Sequence, residues 1–183
     1  MTRSDTDLSP ISFPVHVARL PKTGLEITIE ANEEQRSALA KDHDLLEVRR
    51  LTATLMVAAW RKGGVRVTGR VRADVTQECV VTLEPIAGVI DEDVSAMFLP
   101  EGSRLTVPVY SAEGEILLDP EGDDSPELFF GETVDVGQLA EELFSLGIDP
   151  YPRKSGVVLD DDKAGDEKRG PLHDKLAALR SKL

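Results

Sequence analysis

One cysteine, few aromatic rings and no long apolar run set the first limits on this chain. Cys79 alone cannot form an intramolecular disulfide, nor a thiolate zinc cluster within one chain, which fits a reducing cytosol. Aromatic residues make up only 4 % of the sequence, too few to interleave with bases in the stacking platforms that read single-stranded RNA. The longest strongly apolar run, residues 55–60, falls far short of the roughly 20 residues that cross a bilayer, and the opening MTRSDTDLSP is polar where a signal peptide is apolar. No membrane association is expected, and a cytoplasmic location is. Positive charge is also in deficit: 21 Lys and Arg stand against 34 Asp and Glu, a formal net charge of −13 that excludes a uniformly basic nucleic-acid coat.

What is present suffices for a core, since 40 % of the 183 residues are apolar. The charge is unevenly placed. Residues 45–72 hold seven bases (Arg49, Arg50, Arg61, Lys62, Arg66, Arg70, Arg72) against the single acid Glu47, a net of +6, whereas residues 91–142 hold one base against fifteen acids, a net of −14. A polarised molecule can present a local basic patch despite its net acidity. The plainer expectation is that the opposite charges solvate outer faces and pair across strands.

Alternation and turn chemistry give the expected elements. Residues 11–17 and 25–30 read as strands separated by Pro21 and Gly24. Asn32 is placed to cap a helix over 33–41, with Glu33 and Glu34 where the helix dipole favours acids. Residues 45–60 read as extended, and Arg61, Lys62, Gly63 and Gly64 as a hairpin turn. In the return strand Val65, Val67, Gly69, Val71, Ala73 and Val75 alternate with Arg66, Thr68, Arg70, Arg72, Asp74 and Thr76, which gives one apolar and one largely basic face. Residues 79–83 read as a further apolar, β-branched stretch, broken by Pro85 and Gly88 before an extended segment over 89–99. Between Pro100 and Pro126, residues 105–110 and 115–118 are expected as strands and the rest as loop. Asp135 reads as an N-cap with Gln138 three residues on, and Val136, Leu139, Ala140, Leu143 and Phe144 share one helical face that Gly147 and Pro150 end.

The expected organisation is a flexible N-terminus over 1–10, an α+β domain over 11–156, an acidic disordered linker over 157–170 and a short amphipathic helix over 171–183. In that last segment Leu172, Leu176, Leu179 and Leu183 fall at helical spacing. It docks on the domain, binds a partner or frays, because isolated helices of this length are marginal in water. The fold class is α+β: an antiparallel sheet, open or curled toward a barrel, with flanking helices and a disordered C-terminal tail.

A search for catalytic chemistry returns little. His16, His43 and His173 lack the spacing that puts two ligands on one helical face, and read as exposed structural histidines. Cys79 reads as an inert core thiol whose neighbour Glu78 opposes thiolate formation. Asp119, Glu121, Asp123 and Asp124 are interrupted by Pro120 and Gly122, so a calcium loop fails and a solvated acidic loop remains. Gly63 and Gly64 match no phosphate-binding pattern. No enzyme, cofactor or metal is therefore expected. The remaining candidate is a phosphate-contacting row of Arg66, Arg70 and Arg72 with Arg61 and Lys62 at the turn. Only Trp60 adjoins it as a stacking ring.

Two stretches together resemble the YceD family, named for accumulation of large-subunit ribosomal RNA. The first is VTGRVRADV over residues 67–75 followed by QECVVTLEPI over 77–86, similar to the family's V-x-G-x-V-x-A strand and C-x-x-C-L-x-P-like element. The second is DVGQLAEELFSL over 135–146 followed by IDPYP over 148–152, similar to its D-x-x-x-x-x-E-x-L-x-L helix and proline exit. The resemblance spans roughly residues 11–156. Thr82 stands where many members have a second cysteine, and Tyr151 and Arg153 follow the proline exit where a cysteine is otherwise found, so no metal site carries over. The resemblance implies a cytoplasmic bacterial protein without catalytic activity that supports large-subunit ribosomal RNA accumulation or ribosome assembly. Its implied partners are a large-subunit ribosomal RNA precursor or a basic ribosomal protein. The rival expectation is an acidic adaptor or chaperone that binds a basic protein without RNA.

Overall fold

Three long runs of alternating apolar and polar residues become the centre of the molecule. The computed structural model describes residues 9–103 and 126–156. In chain order they form β1 (Pro14–His16), β2 (Leu25–Glu30), α1 (Glu33–Asp42), β3 (Glu47–Trp60), β4 (Gly64–Glu78), β5 (Pro85–Pro100), β6 (Glu127–Phe129), β7 (Thr133–Asp135) and α2 (Val136–Leu146). The five strands β2 to β6 lie side by side in sequence order, antiparallel except for β6, which runs parallel to β5. β1 and β7 make a separate antiparallel pair. Among the described residues the sheet ends at β2 and β6 and does not close into a barrel.

The core sits on one face of this sheet, as period-two patterning requires. Leu51, Ala53, Leu55 and Val57 of β3, Val65, Val67, Val71, Ala73 and Val75 of β4, and Ile90, Val94 and Phe98 of β5 are all buried. α1 packs on β3, and α2 lies against β4 and β5, placing Leu39 and the stripe Val136, Leu139, Ala140 and Phe144 over the apolar face. Gly69 interrupts the valine row for a steric reason. Its φ is +156°, and a Cβ there would stand 2.1 Å from the Thr54 carbonyl oxygen of β3, a position only glycine can take.

Both helix starts follow their sequence signals. The Asn32 side chain accepts from the Gln35 N–H at 2.9 Å while the Gln35 amide oxygen accepts from the Asn32 N–H at 2.9 Å, a reciprocal cap. At α2 only half of that arrangement forms. Asp135 Oδ1 accepts from the N–H groups of Gly137 and Gln138 at 3.0 Å each, but the Gln138 side chain turns outward to Glu142 at 3.0 Å. Asp135 has a second duty: Oδ1 also accepts from the Phe13 N–H at 2.8 Å, and Oδ2 from the Ser12 hydroxyl. The segment before β1 is thereby pinned across the start of α2, so closely that a Cβ on Gly137 would lie 1.9 Å from the Ile11 carbonyl oxygen.

Three expectations change. Residues 79–83 form a turn, because Cys79 and Glu84 close it with hydrogen bonds from the Cys79 N–H to the Glu84 carbonyl and from the Leu83 N–H to the Cys79 carbonyl, each 2.9 Å, with Leu83 at φ +59°. Local β-propensity yields there to tertiary geometry. The extended segment expected from residue 89 begins earlier, at Pro85, because a first strand residue tolerates a missing N–H, and Gly88 lies inside it opposite Val75. The first expected strand shortens to β1, with a 3-10 turn over Val17–Arg19. The expectations for 1–8, 105–110, 115–118, the 157–170 linker and the 171–183 helix lie outside the described residues.

Candidate functional site

Alternation along β4 puts Arg66, Arg70 and Arg72 on the face opposite the core, and all three are exposed. Strand register then decides what each one meets. Arg66 stands between Ala58 of β3 and Met97 of β5, whereas Arg70 is opposite Asp93 and Arg72 opposite Asp91. Both distal arginines converge on one carboxylate: Arg72 Nε lies 3.1 Å from Asp91 Oδ1, and Arg70 Nε also donates to it. Arg70 Nη1 is a further 3.7 Å from Asp93. The guanidiniums of Arg72 and Arg70 hold the Asp91 carboxyl below its usual range, and the bond to Asp91 raises the Arg70 pKa.

The expected row thus divides in two. Arg70 and Arg72 are matched to the acids of the next strand, so the +6 and −14 stretches of the sequence meet edge to edge here. At the hairpin end, Arg66 and Arg61 have no carboxylate partner among the described residues. Arg61 stacks over the Trp60 ring at 5.6 Å from its centroid, a cation–π contact that fixes the guanidinium. Lys62 occupies the same 3-10 turn, Arg61–Gly63. Trp60, Arg61, Lys62 and Arg66 therefore share one end of the sheet, with Arg70 and Arg72 continuing along β4.

At the opposite end of β4 the turn after Glu78 gathers a second group. Cys79 is fully buried, and its sulfur accepts from the Thr82 N–H at 3.4 Å. The Thr82 hydroxyl and N–H, then the N–H groups of Lys154 and Val81, draw the thiol pKa from its ordinary value near 9 down to about 6 against the opposing effect of burial. Burial bears out the expected core thiol, whereas the expectation that Glu78 opposes its thiolate is corrected by these donors, which come from a turn and a distant segment that spacing alone does not reveal. The chain after α2 is strapped onto the same turn. Val80 N–H donates to the Pro152 carbonyl at 3.0 Å, the Gln77 amide to the Asp149 carbonyl at 2.8 Å, and Lys154 Nζ to Glu84 at 2.7 Å. Thr82 and the segment that carries Tyr151 and Arg153, where the sequence departs from the cysteine pattern, come together at the Cys79 turn through the bonds of Pro152 and Lys154.

The histidines stay apart. His16 is exposed in β1, while His43 ends α1 and pairs with Glu141 of α2 at 3.0 Å, edge-on to Phe144. It is thus a partly buried bridge between helices, and His173 lies outside the described residues. Among the described residues no three His, Cys, Asp or Glu side chains gather as a metal cage, and no helix is long and apolar enough to cross a membrane.

A protein-family model described as large ribosomal RNA subunit accumulation protein YceD matches residues 67–179. That span takes in most of β4, the Cys79 turn, β5 and α2, and covers well over half of the chain. No curated protein and no solved structure matches it.

Proposed function

The chain belongs to the YceD family of large ribosomal RNA subunit accumulation proteins, and from that premise we propose that it is a non-enzymatic factor in the accumulation or assembly of large-subunit ribosomal RNA. Family membership is the observation that carries this reading. We place it in the bacterial cytoplasm. Arg61, Lys62 and Arg66 would make the first phosphate contacts at the hairpin end of the sheet, with Arg70 and Arg72 available where RNA phosphates displace Asp91. Such exchange suits a factor that must bind and let go, because solvent-exposed ion pairs are weak in water.

The test replaces Arg66, Arg70 and Arg72 by Glu and, as a gentler variant that places no carboxylate beside Asp91, by Gln. Both variants should leave precursor particles on a sucrose gradient while retaining the native circular dichroism spectrum. Unchanged co-sedimentation of the folded Gln variant removes the row from the mechanism. Depletion of the protein should lower the ratio of large- to small-subunit ribosomal RNA.

The capture of Arg70 and Arg72 by Asp91 favours one further reading, an acidic adaptor that holds a basic protein without RNA. Nuclease treatment separates the two. A pull-down of the basic partner that survives it supports the adaptor, and loss of that partner supports RNA contact.

A further inference from the structure

Among the described residues, β5 is paired fully on one side only. β4 runs beside it from Pro85 to Phe98, but on the other side β6 meets only Phe98, Leu99 and Pro100. Among the described residues, the backbone over 85–97 therefore presents an open sheet edge. Open edges of this length recruit another strand unless something blunts them. After Pro85 this one contains no proline and no register shift. Its protection is charge: Asp91, Glu92 and Asp93 are consecutive and exposed. Two copies laid edge to edge would set these acids against one another, so the edge repels its own kind.

Beside the edge lies a groove of about 290 Å³ between β5 and α2. Ala96, Leu139, Leu143 and Leu146 give it an apolar side, with Leu146 80 % exposed, and Glu127 and Glu142 give it an acidic one. Burial pushes the Glu127 carboxyl up, and the Glu142 charge adds to this. Neither carboxylate has a cationic partner among the described residues. On the outer face Asp93 is 83 % exposed and only loosely held by Arg70.

We propose that this edge and groove form a docking site for an extended cationic polypeptide segment, which adds to β5 as a strand over residues 86–96. Its alternate apolar side chains enter the groove beside α2, and the intervening Lys or Arg residues face Asp93 and Asp91. Backbone pairing supplies affinity, and the two-sided pattern supplies selection. The inference rests on the reading of this chain as an assembly factor and gives its acidic half a partner of stated chemistry.

The probe is a capped peptide of about ten alternating Lys and Val residues, added to the full chain while amide hydrogen exchange is followed by NMR. The amides of 86–96 that point away from β4 should slow at least roughly tenfold, and Asp91→Asn with Asp93→Asn, which removes the two carboxylates the Lys residues face, should weaken binding by about the same factor. A peptide N-methylated on its β5-facing residues should not protect them, nor should one with Glu in place of Lys. Equal binding by the N-methylated peptide means charge adhesion alone and overturns the proposal. So does protection already present in the free chain, whether independent of concentration (another segment of this chain) or rising with it (a second copy). A chain that fails this test while its depletion still lowers the large-subunit ribosomal RNA ratio loses the docking site and keeps the function. The reverse result keeps the site and loses the function.

Discussion

Gly69 in β4 and Gly88 in β5 are both strand glycines, yet a methyl group has opposite consequences at the two. At Gly69 it would enter the backbone of β3, 2.1 Å from the Thr54 oxygen and 2.9 Å from the Leu55 Cα, at a φ that side-chain-bearing residues avoid. At Gly88 it would meet Val75 Cγ2 at 3.4 Å, an ordinary contact at an extended backbone. Gly69→Ala should therefore cost about 2 kcal/mol or more in urea unfolding, and Gly88→Ala should change stability by less than about 1 kcal/mol, in the stabilising direction. Equal costs at the two sites would discard the steric account. Cys79 adds a pH dependence at the same scale. Its thiol titrates near 9 when unfolded and at about 6 when folded, so the thiolate contribution is absent below pH 6, grows between 6 and 9, and is complete above 9. The stability gap between the native chain and Cys79→Ser should widen across that window, and a flat gap would show that the N–H donors around the sulfur do not favour its charge.

Among the elements, α2 depends on one residue that does two things. Asp135 caps the helix and also holds Ser12 and the Phe13 N–H, so Asp135→Ala should lose more than the roughly 1 kcal/mol of an ordinary cap and release the Phe13 amide to hydrogen exchange. Asp135→Asn keeps the acceptor and should lie between. A cost no larger than a simple cap, with Phe13 still protected, would remove the second duty. The cap itself was legible in the sequence because Asp135 precedes an apolar stripe of period 3.6, and the β3–β4 hairpin was legible because its valines alternate. The clamp on residues 11–13 was not, since it joins positions more than a hundred residues apart. Nor was the turn over residues 79–84, where local backbone bonds among Cys79, Leu83 and Glu84, tied down by the Val80 bond to Pro152, override β-branched residues that read as a strand. β6 and β7, at three residues each, carry too few side chains to show a period.

For the molecule as a whole, that turn decides how charge is distributed. Alternation states which face Arg66, Arg70 and Arg72 occupy, but their partners are set by the register of β4 on β5, and register is fixed by the length of the connection between them. The closed turn over 79–84 brings Asp91 and Asp93 opposite Arg72 and Arg70, so charges that look segregated in the sequence interleave in the sheet. If the basic face contacts RNA, Asp91 competes with phosphate for two of its three arginines. Asp91→Asn should then release both guanidiniums and raise affinity for large-subunit ribosomal RNA fragments, with a steeper fall of log K against log salt, by roughly one to two in slope, for the phosphates gained. Arg66→Gln, which frees no competitor, should weaken binding and flatten the slope by about one. Filter binding across a salt series measures both. An unchanged slope in Asp91→Asn, with its fold intact, would mean that Arg70 and Arg72 serve the sheet alone and that only the hairpin end with Arg61 and Arg66 is available to RNA.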